Sequence, residues 1–460
     1  VYGDALLDEV TALVEWPVVL AGRFEERFLS LPREVLISTL QDHQRYFPVE
    51  DAGGALMPWF IAVSNIESRD AGKVRAGNER VVRPRLADAA FFWEQDRRTP
   101  LAARIGALAQ VTFQAKLGSL ADKSYRVRIL AGEIAGTLRS DVALAQRSAE
   151  LAKCDLLSAM VGEFPELQGT MGSYYAAADG EPEEIVQAIR EQYLPRFAGD
   201  SLPRTGAGTA LAIADRLDTI VGIFAIGQKP SGTKDPFALR RAALGILRIS
   251  IEKRLDLDLS ALIARAVELV RERSAELGAA SPDLEAQVYD YIMERLRSYY
   301  LEGAVELGVT TERFDAVLAT RPRSPLDFDA RLRALSGFLE LPEAASLTAA
   351  NKRIANILRK SAEPGAAADA IEVAALSEPP EIALHEALRS VRESVTGAIE
   401  RREYAGALGR LAQLRPAVDA FFDGVMVMDA DPRRRGNRLA LLSELQRLFG
   451  GIADLSRLPG

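Results

Sequence analysis

The side chains able to do chemistry in this sequence are mostly cations, and they fall in three places. In the stretch Gly-Gln-Lys-Pro-Ser-Gly-Thr-Lys-Asp-Pro-Phe-Ala-Leu-Arg-Arg-Ala-Ala-Leu-Gly-Ile-Leu-Arg, from Gly227 to Arg248, Lys234, Arg240 and Arg241 gather at a predicted helix start. Pro236 suits a first helical turn because it has no amide hydrogen to leave unpaired, and Asp235 before it is a good N-cap. A helix start offers open amides and partial positive charge, so with three cations beside it the arrangement suits a phosphate. The same pattern also reads as a capped loop whose arginines pair with acidic neighbours.

The second place is Gly77 to Asp88, where Arg80, Arg83 and Arg85 precede the aromatic run Phe91-Phe-Trp93. A guanidinium presents a planar fork of donors that matches phosphate. Ion pairs to Glu79, Asp88 and Glu94 at a domain interface are the other use of these arginines. The third is Asn351-Lys-Arg-Ile-Ala-Asn-Ile-Leu-Arg-Lys360. Ile354, Ile357 and Leu358 form a core stripe, which places Lys352, Asn356, Arg359 and Lys360 on the other face, with Arg353 beside them. A basic face of this kind can track a phosphate backbone, and Asn can hydrogen-bond a base edge. A solvated helix surface carries the same pattern.

Covalent and metal chemistry have few candidates. The sequence holds one cysteine and two histidines. Cys154 sits in an apolar helical pattern that predicts a buried thiol, and a lone cysteine excludes an internal disulfide framework and favours a reducing compartment. His43 is predicted in a structural hydrogen-bonding role, and His385 is far from it in sequence. Asp215 and Asp218 share one helix face and could form a metal pair. They lack imidazole partners at useful spacing, so salt bridges to Arg204, Arg216 or Arg240 are the expected use. No phosphate-loop, dinucleotide, zinc-protease or nucleophile-elbow motif occurs. The net charge of −8 argues against a general nucleic-acid binder and leaves recognition to local patches. No apolar run approaches the ~20 residues needed to cross a bilayer, and Asp4, Asp8 and Glu9 exclude a secretory signal at the start.

The elements that must carry these residues are mainly helices. Helical periodicity predicts Asp4–Glu15 and a short helix opened by Pro32. Gln41–Val49 and Trp59–Ser64 flank the Asp51–Gly54 turn as a hairpin, the one clear strand signal. Helices follow over Tyr125–Leu138, Val142–Met160, Glu183–Tyr193 and Leu211–Phe224, with a glycine-rich corner at Val161–Tyr175. Further helices are predicted at Leu259–Leu277, from Ser281, and over Thr311–Ala319, Pro325–Glu340, Thr348–Lys360, Pro380–Glu403, Tyr404–Phe422 and Arg433–Phe449, with a small-residue linker at Glu363–Ala370. The fold class is α+β overall and mainly α.

Several long phrases carry a resemblance. QDHQRYFPVED, GNERVVRPRLADAAFFWEQD, FQAKLGSLADK, MVGEFPELQGTMGSYYA, SGTKDPFALRRAALGILRI, NKRIANILRK and RPAVDAFFDGVMVM resemble the beta-subunit family of the bacterial two-subunit glycyl-tRNA synthetases, over nearly the whole chain. The resemblance implies a cytoplasmic heterotetramer of two alpha and two beta subunits that attaches glycine to tRNA(Gly). ATP and Mg are expected on the alpha subunit, which holds the adenylate-forming site, and no cofactor on this chain. It also implies that a longer N-terminal part of the beta chain is missing. Residues 1–105 would form a mixed region similar to part of the B3/B4 module of the phenylalanine enzyme. Residues 106–260 would form a helical HD-like domain. Residues 261–460 would include a helical bundle similar to the anticodon-binding domain of the arginine enzyme.

In the HD-like part the His-Asp pair of working phosphohydrolases would fall at Cys154-Asp155 and the later Asp at Asp215. With no histidine between His43 and His385, no metal site and no hydrolase activity are expected. The resemblance assigns Arg80, Arg83, Arg85, Lys234, Arg240 and Arg241 to the tRNA acceptor arm or the alpha subunit. It assigns Lys352, Arg353, Asn356, Arg359 and Lys360 to the anticodon end. An HD-type metal phosphohydrolase and a non-catalytic helical scaffold are the competing readings.

Overall fold

Alternating and helical runs near the start of the chain form a small sheet covered by helices. The computed structural model describes residues 4–273, 282–302, 308–361 and 371–459. Its first elements are α1 (Asp4–Leu13), β1 (Val18–Arg23), α2 (Arg33–Gln44), β2 (Phe47–Glu50), β3 (Leu56–Ser64) and α3 (Ala71–Asp96). The three strands are antiparallel in the order β1-β3-β2, with Val19 opposite Val63 and Phe47 opposite Ile61. The predicted hairpin is β2–β3. The Asp51 carboxylate accepts from the amides of Gly53 (2.8 Å) and Ala55 (2.9 Å), and Gly54 takes the left-handed φ of 84° that the turn needs.

The expected strand start at Gln41 is corrected. Helix α2 continues to Gln44, where Arg45 turns left-handed at φ 58° and donates its amide to the Gln41 carbonyl. Strand β1 escaped the sequence reading because its alternation is short and follows Trp16-Pro17. Gly22 in β1 is required by packing: a Cβ there would run into the Phe60 ring. Val82, Leu86 and Ala89 repeat at four and three along α3 and are fully buried, which turns the arginines of that helix outward.

Two short strands, β4 (Thr112–Gln114) and β5 (Gly118–Ser119), precede the helices α4 (Leu120–Thr137), α5 (Val142–Leu151), α6 (Ala159–Glu163), α7 (Thr170–Ala178), α8 (Glu183–Glu191) and α9 (Gly206–Ala225). Helix α9 is apolar on nearly every side and is the central rod against which α4, α5 and α8 pack. Carboxylates fasten the joints. Asp96, at the end of α3, accepts from the amides of Ala159 (3.0 Å) and Met160 (2.9 Å) at the start of α6 and from the Tyr175 hydroxyl (3.0 Å). Glu191, at the end of α8, accepts from the amides of Arg204 (2.9 Å) and Thr205 (3.1 Å) just before α9. One hydrophobic core runs from Phe24 in the sheet region to Ile189 in α8.

The remaining helices are α10 (Leu239–Glu252), α11 (Leu259–Arg273), α12 (Leu284–Glu294), α13 (Leu296–Leu301), α14 (Thr311–Leu318), α15 (Pro325–Phe338), α16 (Ala344–Lys360), α17 (Pro379–Glu400), α18 (Tyr404–Ala412), α19 (Arg415–Gly424) and α20 (Pro432–Gly450). The single helix expected over Tyr404–Phe422 is two. Pro416 has no amide to donate, so the chain turns at Gln413-Leu414 and α19 restarts with the Val418 amide on the Leu414 carbonyl. The predicted helix start at Ser281 and the linker Glu363–Ala370 lie outside the described residues. Among the described residues no helix is long and apolar enough to cross a membrane.

The chain divides into two compact units. One takes residues up to Gln228 with the second half of α11; the other takes Lys229–Arg265 and the rest. The division falls inside the 106–260 span, because Leu239, Ala243 and Leu247 bury α10 among α12, α13 and α15 of the second unit. The first 105 residues and the helices that follow share one core.

Replacing Asp96 by Ala would leave the buried Met160 amide, the Ala159 amide and the Tyr175 hydroxyl without their acceptor. The expected result is a loss of roughly 2–4 kcal/mol in the first unit, read as a lower urea midpoint.

Candidate functional site

The sequence of α16 decides which of its side chains meet solvent. Leu347, Thr348, Asn351 and Ile354 are buried at three- and four-residue spacing, and the Asn351 side chain donates to the Leu347 carbonyl (2.9 Å). Lys352, Arg353, Asn356, Arg359 and Lys360 are thereby brought together on the exposed side, as the periodicity predicts. Arg359 donates to the Asn356 side-chain oxygen (2.9 Å), and the Arg353 guanidinium lies over the Phe422 ring of α19, 4.4 Å from its centre. Lys352 and Lys360 form no ion pair among the described residues. Arg359 and Lys360 also stand in the last turn, where the helix dipole favours positive charge.

The stretch from Gly227 to Arg248 is arranged differently from its sequence reading. The helix does not begin at Pro236. Pro236 and Phe237 form a turn, Ala238 adopts a left-handed φ of 53°, and α10 starts at Leu239. The Asp235 carboxylate still caps it, from farther back, accepting from the amides of Leu239 and Arg240 at 2.9 Å each. Those amides are therefore taken by this chain's own carboxylate. Arg240 closes the loop by donating to the Gly232 carbonyl, and Ser231 and Lys234 exchange backbone hydrogen bonds of 3.2 and 3.0 Å. Lys234 and Arg241 stay exposed, with no ion pair among the described residues.

Arg80, Arg83 and Arg85 are all exposed on α3. Arg83 pairs with Glu25 (3.3 Å) and Arg85 with Glu163 (3.4 Å), not with the acidic residues nearest in sequence. Glu79 instead accepts from the Arg23 amide (2.9 Å). Arg83 and Arg23 line a cavity of about 520 Å³ in which the glutamates Glu25, Glu26 and Glu79 outnumber them. Arg80 has no ion pair among the described residues.

Asp215, expected at a metal position of a phosphohydrolase, belongs to a charge cluster that sequence reasoning missed. Asp215 lies 3.2 Å from the Lys123 ammonium and 3.3 Å from that of Lys153. Burial alone would raise its pKa, but the two ammonium groups outweigh that and hold it well below the usual carboxylate range. Asp218 meets Lys123 (3.1 Å) and Arg126 (2.6 Å). Lys153 also donates to the Gln192 side chain (2.8 Å). The expected partners, Arg204, Arg216 and Arg240, are corrected: Arg216 donates to the backbone carbonyls of Ala212, Gln192, Tyr193 and Pro195 at 2.8–3.1 Å. The only sequence signal was the placement of Lys123 and Arg126 three residues apart on α4.

Cys154 is buried as predicted, and burial, with Asp155 adjacent, pushes its thiol up to about 12. Asp155 is turned to the backbone, accepting from the amides of Gly169 (2.5 Å) and Gly172 (3.0 Å) at the start of α7. His43 stacks on the Phe164 ring, 5.2 Å between centres. These residues do not fit a divalent cation, because two fixed ammonium groups already neutralise Asp215, Lys123 and Arg126 hold Asp218, and one Asp155 oxygen is taken by two amides. Among the described residues no three His, Cys, Asp or Glu side chains converge as a metal shell requires.

Burial raises the Asp155 carboxyl to about 6. Between roughly pH 4 and 6 the folded state therefore keeps a proton that the unfolded state has released. Its stabilising share is complete below pH 4 and is lost as the pH rises through 6. The expected difference is that the unmodified chain loses about 3 kcal/mol relative to Asp155→Asn between pH 4 and 7, measured by urea unfolding at stepped pH.

Comparison with known proteins places these units in context. A family model described as glycyl-tRNA synthetase beta subunit matches residues 1–319, and one described as DALR anticodon binding domain matches residues 347–455. The glycine–tRNA ligase beta subunit of Ectopseudomonas mendocina is 53% identical over 452 residues, covering 98% of this chain and 64% of the relative. The beta subunits of Chromohalobacter salexigens and Hahella chejuensis are each 51% identical over 458 residues, covering all of this chain and 65% of the relative. The chain thus spans slightly less than two thirds of the length of these curated relatives.

Proposed function

The chain belongs to the glycyl-tRNA synthetase beta-subunit family, and on that premise we propose that it is the tRNA-holding portion of a two-subunit glycine–tRNA ligase. The observation that supports this most directly is the exposed cationic side of α16, which falls inside the span matched by the anticodon-binding family model. Lys352, Arg353, Arg359 and Lys360 bind backbone phosphates of tRNA(Gly) there, and the release of counterions drives the association. Arg80, Lys234 and Arg241, exposed and without internal ion pairs among the described residues, serve the acceptor arm or the alpha subunit. Arg83, Arg85 and Arg240 shape the surfaces around them, since each is engaged within this chain.

ATP, Mg and the adenylate-forming site belong to the alpha subunit, joined with this chain in a cytoplasmic heterotetramer. The phosphohydrolase reading loses its support at Asp215, where ammonium groups stand in the place of a catalytic cation. A scaffold without a nucleic-acid role would have no use for a helix side whose cations form no ion pair among the described residues.

Reversing charge at Lys352, Arg359 and Lys360 together is expected to weaken tRNA(Gly) binding at least tenfold near 0.1 M salt. The slope of log affinity against log salt should become shallower by about 2. Filter binding across a salt series measures both, and an unchanged affinity would reject the assignment.

A further inference from the structure

Next to the cations of α16 lies an exposed apolar surface. Between α19 and α20 the chain alternates: Val425 and Val427 are buried, whereas Met426 and Met428 are 75% and 54% exposed. Met426 is the most exposed large apolar side chain among the described residues. The backbone that carries these methionines is held firmly. Arg438, buried in α20, donates to the Met426 carbonyl and to the Asp429 carboxylate, both at 2.8 Å, and Asp429 accepts from the Asp431 amide, also at 2.8 Å. A side chain left in water on a pinned ribbon is presented, not mobile by default.

The apolar surface is continuous with the cationic one. The Met428 sulfur accepts from the Ser361 hydroxyl (3.6 Å) at the end of α16, and the half-buried Phe422 ring lies under Arg353. Two of the nearby carboxylates are engaged from within, Asp419 by Arg415 (3.3 Å) and Ser346, and Asp429 by Arg438 and Arg434 (3.3 Å), while Asp423, beside Phe422, is exposed and has no ion pair among the described residues. Cations alone bind the phosphates of any duplex. Cations bordered by thioether and aromatic surface match a strand whose bases are turned out, because every base has a π face and such contacts tolerate sequence.

We propose that Phe422, Met426 and Met428 form a platform for unpaired bases of an RNA loop, while Lys352, Arg353, Arg359 and Lys360 hold its phosphates. The inference rests on the tRNA-binding reading above and divides that site into a backbone-binding part and a base-binding part.

The test compares the parent chain, together with the alpha subunit, with Met426→Ala/Met428→Ala, using tRNA(Gly) and a blunt RNA duplex of similar length that has no loop. Both side chains are exposed, so an unaltered melting curve is expected. Affinity for tRNA(Gly) should fall on the order of ten- to a hundredfold, with an unchanged salt slope and unchanged duplex binding. Met426→Leu/Met428→Leu should restore most of the affinity. An equal loss on the duplex, or a shallower salt slope, would overturn the platform. So would full tRNA affinity in the Ala variant alongside weakened binding in the α16 charge-reversal variant, which would leave the tRNA-binding reading standing. Loss of alpha-subunit association with RNA affinity intact would make the surface a protein-docking site and also overturn it. If the parent assembly binds no tRNA, the broader reading fails and the platform fails with it.

Discussion

A charge withdrawn from water must meet its opposite or a set of dipoles, and this constraint sorts the cations of the chain into two populations. Lys123, Lys153, Arg126 and Arg438 are buried, and each is matched by carboxylates. Arg216 donates its hydrogen bonds to backbone carbonyls and is attracted by Asp215. These groups tie α4, α9 and the turn after α5 together in the first unit, and α17 and α20 together in the second. Lys352, Arg353, Arg359, Lys360, Lys234, Arg80 and Arg241 remain outside without internal ion pairs among the described residues. Only the second population has charge to offer a polyanion, although both are made of the same two residue types.

The same logic governs the carboxylates. Asp96, Glu191 and Asp235 each spend both oxygens on backbone amides at or near the start of a helix, and Asp155 spends one oxygen on two such amides. A helix start satisfied in this way is a joint of the fold and not an anion site. This separates the loop before α10 from α16. The former has its amides filled and Arg240 folded back, while the latter presents cations toward a helix C-terminus that form no ion pair among the described residues.

Where periodicity was strong, the sequence reading and the structure agree: the hairpin β2–β3, α9, and the exposed side of α16. Each depends on near neighbours, through turn chemistry or on three-and-four spacing. The misjudged details have local causes that a periodic pattern hides. The left-handed residues Arg45 and Ala238 set helix ends away from the expected positions, and Pro416 cuts one predicted helix into two. The pairing of Arg83 with Glu25 and Arg85 with Glu163 links residues about 58 and 78 positions apart, which spacing along one helix cannot reveal.

The amino-acid sequence by itself determined that the chain is mainly helical, that its cysteine is buried, that a cationic side of one helix faces outward, and which family it resembles. Those properties follow from composition, periodicity and long motifs. Tertiary structure alone decided that Lys123 and Lys153 neutralise Asp215, that α10 belongs with the C-terminal helices, and that Met428 and Phe422 border the cations of α16. Each of these joins elements far apart in the chain, and their meeting is set by which apolar surfaces close on one another, a choice made by the whole fold and not by any local segment.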